Sequence, residues 1–195
     1  MSDFSSYLES VRRHYEQWWK DYAFMDEIDE LTWFEFPLSS TTKEKPTKPN
    51  EQPTSTPPQL VLDAVRDYAQ EKILIVGPPG AGKSTLLAKI FGLAVGRAIE
   101  DPQAPIPVLV ELRDYKAKEG FRGFILQNLE SHDPSLDEED LKKLLQERRL
   151  LLLVDGLNEK PEARRDLTAF CRNIPLIATG RQDTTVRTDF RGFKL

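Results

Sequence analysis

The chain is poor in cysteine and has no long apolar stretch. Cys171 is the only cysteine among 195 residues, so no internal disulfide can form and a stapled secreted scaffold is excluded. It lies in an apolar helical pattern, where a thiol reads as a small core side chain rather than a nucleophile. The longest unbroken apolar runs are five residues, as in Leu150 to Val154, against the roughly 20 that a membrane span needs. The opening MSDFSSYLES places an acid at position 3 and no apolar run behind it, so it is not a signal peptide. No internal repeat occurs. Nor is there a surplus of positive charge: 27 Lys and Arg stand against 32 Asp and Glu, a formal net charge of −5. A basic field of the kind that holds a nucleic-acid backbone is missing. These absences lead to the expectation of a soluble, cytoplasmic protein.

What is present is unevenly spread. Residues 1–36 carry nine acids, three bases, all three Trp and ten of the eighteen aromatics. Ser6 and Glu9 have capping-box spacing. Leu8, Val11, Tyr15, Trp18 and Tyr22 then step by 3 and 4, which predicts one amphipathic helix. A helix of this length is marginal in water on its own and has to dock. It packs either on its own domain or on another chain, where Trp and Tyr suit a binding hot spot. Residues 37–58 hold six Pro, eight Ser or Thr and a single apolar residue. Such a segment reads as a solvated, disordered linker.

From Gln59 to Leu195 acids and bases balance at 21 each. Leu60, Ala64, Val65 and Tyr68 predict a short helix. Strands follow at Ile73 to Val76, Ile106 to Leu112, Leu150 to Val154 and Leu176 to Ala178. Helices open near Gly82, run around Phe121 to Leu129, start at a Ser135–Glu138 capping box, and cover Glu162 to Arg172. The acids from Asp137 to Asp140 read as first-turn residues facing a helix dipole. Short apolar strands alternating with helices predict an α/β fold with a parallel sheet covered by helices.

After the first strand stands GPPGAGKST: Gly77, Pro78, Pro79, Gly80, Ala81, Gly82, Lys83, Ser84 and Thr85. This is the G-x-x-x-x-G-K-[ST] phosphate loop, with the required strand before and helix after. Glycines let the backbone curl around phosphate oxygens at a helix N-terminus. Pro78 and Pro79 have no N–H, so the donors are expected to run from Gly80 to Thr85. Lys83 would reach the β- and γ-phosphates, and the Ser84 hydroxyl would take Mg²⁺. A second Mg²⁺ ligand belongs at the end of a buried strand, where LLLLVDGLNE offers Asp155. Glu159 either orients or deprotonates an attacking water, or is an exposed acid ahead of the helix at Pro161. Thr179 and Arg181, in IATGR, end the fourth strand. They would sense the γ-phosphate, although a strand-end Arg also commonly forms surface ion pairs.

Taken in order, GPPGAGKST, PVLVELRDY (Pro107 to Tyr115), LLLLVDGLNE and PLIATGR resemble the NACHT branch of the STAND-type P-loop NTPases. The likeness covers about residues 59–195, and the N-terminal Tyr7 to Tyr22 stretch resembles segments that precede such modules in bacterial, particularly cyanobacterial, proteins. The resemblance implies an ATP-driven switch, ADP-bound when off and ATP-bound and homo-oligomeric when on, relaying a signal to an effector. It implies that Gly77 to Thr85 bind the phosphates and that Ser84 and Asp155 hold Mg²⁺. Lys83, Asp155, Glu159 and Arg181 would form the catalytic set. An effector or other protein partner would meet residues 4–36. Asn158 stands where the family usually has Asp, which bears on hydrolysis more than on binding, and Gly180 replaces a usual Ser. RGFKL resembles the start of a fifth strand, cut before the helical and winged-helix lid. A non-enzymatic scaffold stabilised by nucleotide and a small P-loop kinase are the competing readings. The kinase lacks an Arg-rich lid between Gly92 and Glu147.

Overall fold

A computed structural model describes residues 3–23, 37–40, 59–60, 71–181 and 191–194. In chain order the elements are α1 (Ser5–Ala23), β1 (Pro37–Ser40), β2 (Gln59–Leu60), β3 (Lys72–Val76) and α2 (Lys83–Glu100). Then come β4 (Ile106–Glu111), two 3-10 turns (Leu112–Asp114 and Ala117–Glu119), α3 (Gly120–His132) and α4 (Glu138–Gln146). The chain continues through β5 (Leu150–Asp155), α5 (Pro161–Phe170), β6 (Leu176–Gly180) and β7 (Arg191–Lys194).

The strands form one sheet in the order β2-β1-β7-β3-β6-β5-β4. From β7 to β4 every neighbour is parallel, and β1 adds antiparallel pairings to β7 and to β2. Central strands that are covered on both faces should be apolar at successive positions. Ile73, Leu74 and Ile75 of β3 are buried, as are all five residues of β6. The chain leaves β3, crosses to the far edge at β4, returns through β5 and β6, and then places β7 on the other side of β3. A reversal of this kind opens a crevice beyond the carboxyl ends of the strands.

Local chemistry explains the helix starts. α2 opens behind Gly82, which has φ 79°, a left-handed conformation that glycine adopts without steric cost. α5 has Pro161 in its first turn, where a missing N–H costs nothing. α4 is closed by Asp137 and Asp140 in a reciprocal capping box, with Glu138, Glu139 and Asp140 in its first turn. The acidic run thus faces a helix dipole as expected, but the cap is Asp137 rather than Ser135. Ser135 instead turns back, donating through its N–H and its hydroxyl to Asp133 Oδ1.

Other boundaries moved as well. α1 begins at Ser5, whose N–H donates to Asp3 Oδ1 at 2.9 Å, so Asp3 closes this end and Ser6 lies inside the helix. Pro37–Ser40, the start of the segment read as linker, is a strand on β7. Leu60 belongs to β2, and the rest of the helix expected there lies outside the described residues. The fifth strand expected at RGFKL is present as β7, in register with β3.

α1 packs on the described domain itself. Phe4, Tyr7, Leu8 and Val11 are buried and belong to the same apolar cluster as the sheet. Burial of such side chains stabilises by roughly 1.5–3 kcal/mol each, which offsets the poor intrinsic stability of a lone helix. The seam also includes Phe4 and Tyr7, which the spacing did not single out, while the Tyr22 side chain lies outside the described residues. Tyr7 donates its hydroxyl to the Pro107 carbonyl at 2.9 Å, and Asn128 of α3 donates to the Leu109 carbonyl at 3.0 Å. Both acceptors lie on β4, the edge strand, and alternate carbonyls of a strand face the same side. Side chains therefore satisfy an edge that would otherwise invite another strand. Pro107, which has no N–H to offer, is tolerated at such an edge.

Further along α1, Tyr15 lies against the P-loop helix. A Cβ added at Gly92 would meet Tyr15 Cε1 at 2.4 Å, so only glycine permits this approach. Cys171 is buried and its thiol is pushed up to about 12 by that burial, in keeping with a core role.

Two outcomes follow from this docking. Tyr7→Phe leaves a buried carbonyl unpaired and should cost about 1–3 kcal/mol in urea denaturation. Gly92→Ala improves helix propensity by about 1 kcal/mol yet displaces the Tyr15 ring. A double-mutant cycle with Tyr15→Ala should show coupling above about 0.5 kcal/mol. Additive effects would show that the two residues are not coupled.

Candidate functional site

The site begins with the turn between β3 and α2. Gly80 and Gly82 both have φ 79°, and Gly77 ties the loop to the sheet by donating to the Gly180 carbonyl at 3.4 Å. The Lys83 ammonium folds back on its own loop, donating to the Gly77 carbonyl at 2.9 Å and the Pro78 carbonyl at 2.7 Å. A cation is thereby held over a turn whose following helix offers N–H groups without intrahelical acceptors. An anion is the natural complement. One donor expected of this loop is engaged internally: Ala81 gives its N–H to the Pro78 carbonyl at 3.3 Å.

Opposite the loop, β5 ends on Asp155, which is partly buried after Leu152, Leu153 and Val154. Its Oδ1 accepts the hydroxyl of Thr179. The same Thr179 oxygen accepts the Gly156 N–H at 3.0 Å, and the Thr179 carbonyl accepts the Leu157 N–H at 2.9 Å. Thr179 is 1 % exposed. The sequence suggested Thr179 as a phosphate sensor, but the structure makes it a brace that fixes the Asp155 carboxylate and the turn after it.

That turn is tight. Gly156 has φ 81°, and a Cβ there would lie 2.7 Å from Glu159 Cδ. The Glu159 side chain therefore lies back over Gly156, while its N–H donates to the Gly156 carbonyl at 2.9 Å. Glu159 and Arg181 are exposed, whereas Asn158 is half-buried. Arg181 directly follows Gly180, the residue bonded to Gly77.

Ser84 and Asp155 line one cavity of about 400 Å³, together with Glu111 from the end of β4, Asp114 from the 3-10 turn after it, and Tyr7, Tyr15 and Trp18 from α1. Lys83, Glu159 and Arg181 do not line it. Of the sequence-derived set, the structure thus joins Ser84 to Asp155, keeps Lys83 on the loop, and leaves Glu159 and Arg181 at the surface.

Glu111 was not singled out from sequence, where it reads as one more charge before the Arg-Asp pair. It pairs in register with Asp155. Its carboxyl is held above the ordinary carboxylate range chiefly by burial, with Asp155, Asp114 and Glu159 adding and Arg113 opposing. Arg113 bridges to Glu111 at 2.5 Å. Tyr115, at the end of the same segment, is buried; its hydroxyl donates to Asp166, and its carbonyl accepts Lys160 Nζ at 2.6 Å. The segment after β4 is thereby fixed to α5.

Among the described residues no helix is long and apolar enough to cross a membrane. Comparison with the curated proteins finds no match. The brace gives a direct test: Thr179→Val keeps the volume but strands both Asp155 and the Gly156 N–H. It should destabilise the fold by about 1–3 kcal/mol, whereas Thr179→Ser should retain most stability in the same melt. The NACHT domain family model matches residues 71–185, more than half of the chain, and the protein belongs to the NACHT family of P-loop NTPases.

Proposed function

We propose that this chain is the ATP-binding module of a signal-transduction switch, binding nucleotide with Mg²⁺ and hydrolysing it slowly. The observation that carries the reading is the Lys83 ammonium, held by the Gly77 and Pro78 carbonyls above two left-handed glycines at a helix N-terminus. Phosphate oxygens would take over from those carbonyls. Residues Gly77 to Thr85 would wrap the phosphates.

The residues present suit Mg²⁺. The Ser84 hydroxyl and the Asp155 carboxylate are hard oxygen donors on one cavity, and Mg²⁺ is usually held by one or two such groups plus phosphates and water. No cluster of three or more His, Cys, Asp or Glu able to hold a metal occurs among the described residues. When bound, the ion would neutralise charge on the β- and γ-oxygens. Asp155 is kept in place for that task by Thr179. Glu159 would orient or deprotonate water, and Arg181 would sense the γ-phosphate from the strand end beside Gly77. Asn158 lowers the negative charge next to this acid, which favours slow turnover. ADP would mark the resting state. ATP would favour a homo-oligomer, and the aromatic end of α1 at Trp18 and Trp19 would meet an effector protein.

A thermal melt with ATP or ADP, with and without Mg²⁺, tests binding. At 100 times its Kd a ligand stabilises by about 2.7 kcal/mol, so a clear rise in Tm is expected. Lys83→Ala should abolish the rise with ATP, and Asp155→Ala should remove its dependence on Mg²⁺. Phosphate release should be slow in the parent and at least tenfold slower in Glu159→Gln. Binding without any release would favour the scaffold reading, and no Tm response in a folded protein would sink nucleotide binding.

A further inference from the structure

We propose that Glu111 is a second positioning carboxylate for the divalent cation, accepting a hydrogen bond from a metal-bound water beside Asp155. This rests on the nucleotide reading given above and adds a residue to it. Glu111 and Asp155 are the final register pair of β4 and β5. Matching positions on adjacent parallel strands lie about 4.8 Å apart and send their side chains to the same face. Both residues, with Ser84, line the same cavity.

Asp155 follows directly on the buried end of β5 and is fixed by Thr179, whereas Glu111 is already engaged by Arg113. The two carboxylates are therefore assigned different parts: Asp155 on the ion and Glu111 on its water. A contact through water fits this division. Mg²⁺ gives up its water reluctantly and usually keeps several molecules. Those waters are polarised donors, and an acceptor fixed one strand away meets them without crowding the ion.

The remaining chemistry agrees with that role. A carboxylate offers about four lone-pair positions, so the ion pair from Arg113 to Glu111 Oε2 does not exhaust it. Arg113 reaches from an exposed position, with 67 % of its side chain accessible, and holds the acid from the solvent side. β4 itself is immobilised by Tyr7 and Asn128 on its open edge. Glu111 is thus carried by a strand bonded on both sides, to β5 and to these two side chains. Asp114 lines the same cavity but lies on the 3-10 turn beyond the strand, outside the register that places Glu111 beside Asp155.

The test follows a fluorescent ADP analogue (mant-ADP) binding to the full chain while Mg²⁺ is titrated, and repeats it with Mn²⁺. Outer contacts to metal ligands commonly account for 10- to 100-fold in metal affinity. Glu111→Gln is therefore expected to raise the Mg²⁺ concentration for half-maximal binding by about tenfold. Its mant-ADP affinity in EDTA and its urea midpoint should match the parent. Glu111→Asp should recover part of the loss. Asp114→Asn, which removes the same charge from the same cavity, should change the Mg²⁺ midpoint by less than about twofold.

An unchanged Mg²⁺ midpoint in Glu111→Gln overturns the role of Glu111 while leaving nucleotide binding intact. An equal loss in Asp114→Asn also overturns it, because general charge would then be responsible. Failure of the parent chain to bind mant-ADP at any Mg²⁺ concentration would instead defeat the underlying nucleotide reading. Those results are separable in one set of titrations.

Discussion

Placing a carboxylate at the mouth of an apolar sheet is costly unless its lone pairs are met, and the site is built around that constraint. β5 delivers Asp155 directly from a run of buried Leu and Val. The neighbouring strand β6 supplies the answer through Thr179, whose single hydroxyl group both donates to Asp155 and accepts from Gly156. Such a shared atom couples the acid, the turn after it and the strand beside β3. Because β3 leads into the phosphate loop and Gly77 bonds to Gly180, the acid and the loop share one hydrogen-bonded frame. Their separation is therefore set by sheet pairing, not by flexible side chains.

The same frame explains why Lys83 is informative. A buried or half-buried ammonium seeks oxygen acceptors, and two loop carbonyls serve it. Those contacts hold the cation over the turn where an anion would arrive. Binding would exchange one set of oxygens for another without ordering a new loop, which lowers the entropy cost of association.

Much of this was legible in the sequence because periodicity and glycine placement report on local backbone. The apolar runs gave every strand from β3 to β6 to within two residues at either end, and the glycine-rich loop was placed between its strand and helix. Caps were read less well. Ser6 and Ser135 had the right spacing, but Asp3 and Asp137 had the stronger acceptors and took the role. Thr179 as a brace and Glu111 beside Asp155 were not legible, since both depend on which strands become neighbours. Strand order is a long-range property that no local pattern encodes. The docking of α1 was left open for a related reason: an amphipathic seam says that a helix must be covered, not by what. Tyr7 and Gly92 decide it, through a hydroxyl aimed at an edge carbonyl and a missing Cβ that admits Tyr15.

The cover that α1 places over β4 has a consequence for assembly. A sheet ending in a bare strand can be extended by any chain that presents another, and such growth has no built-in stopping point. With Tyr7 and Asn128 occupying alternate carbonyls, that edge is closed to templated addition. Past β4, a second copy would then have to be met by side-chain surfaces of defined shape and not by strand pairing, so the sheet does not grow into a fibre from this side.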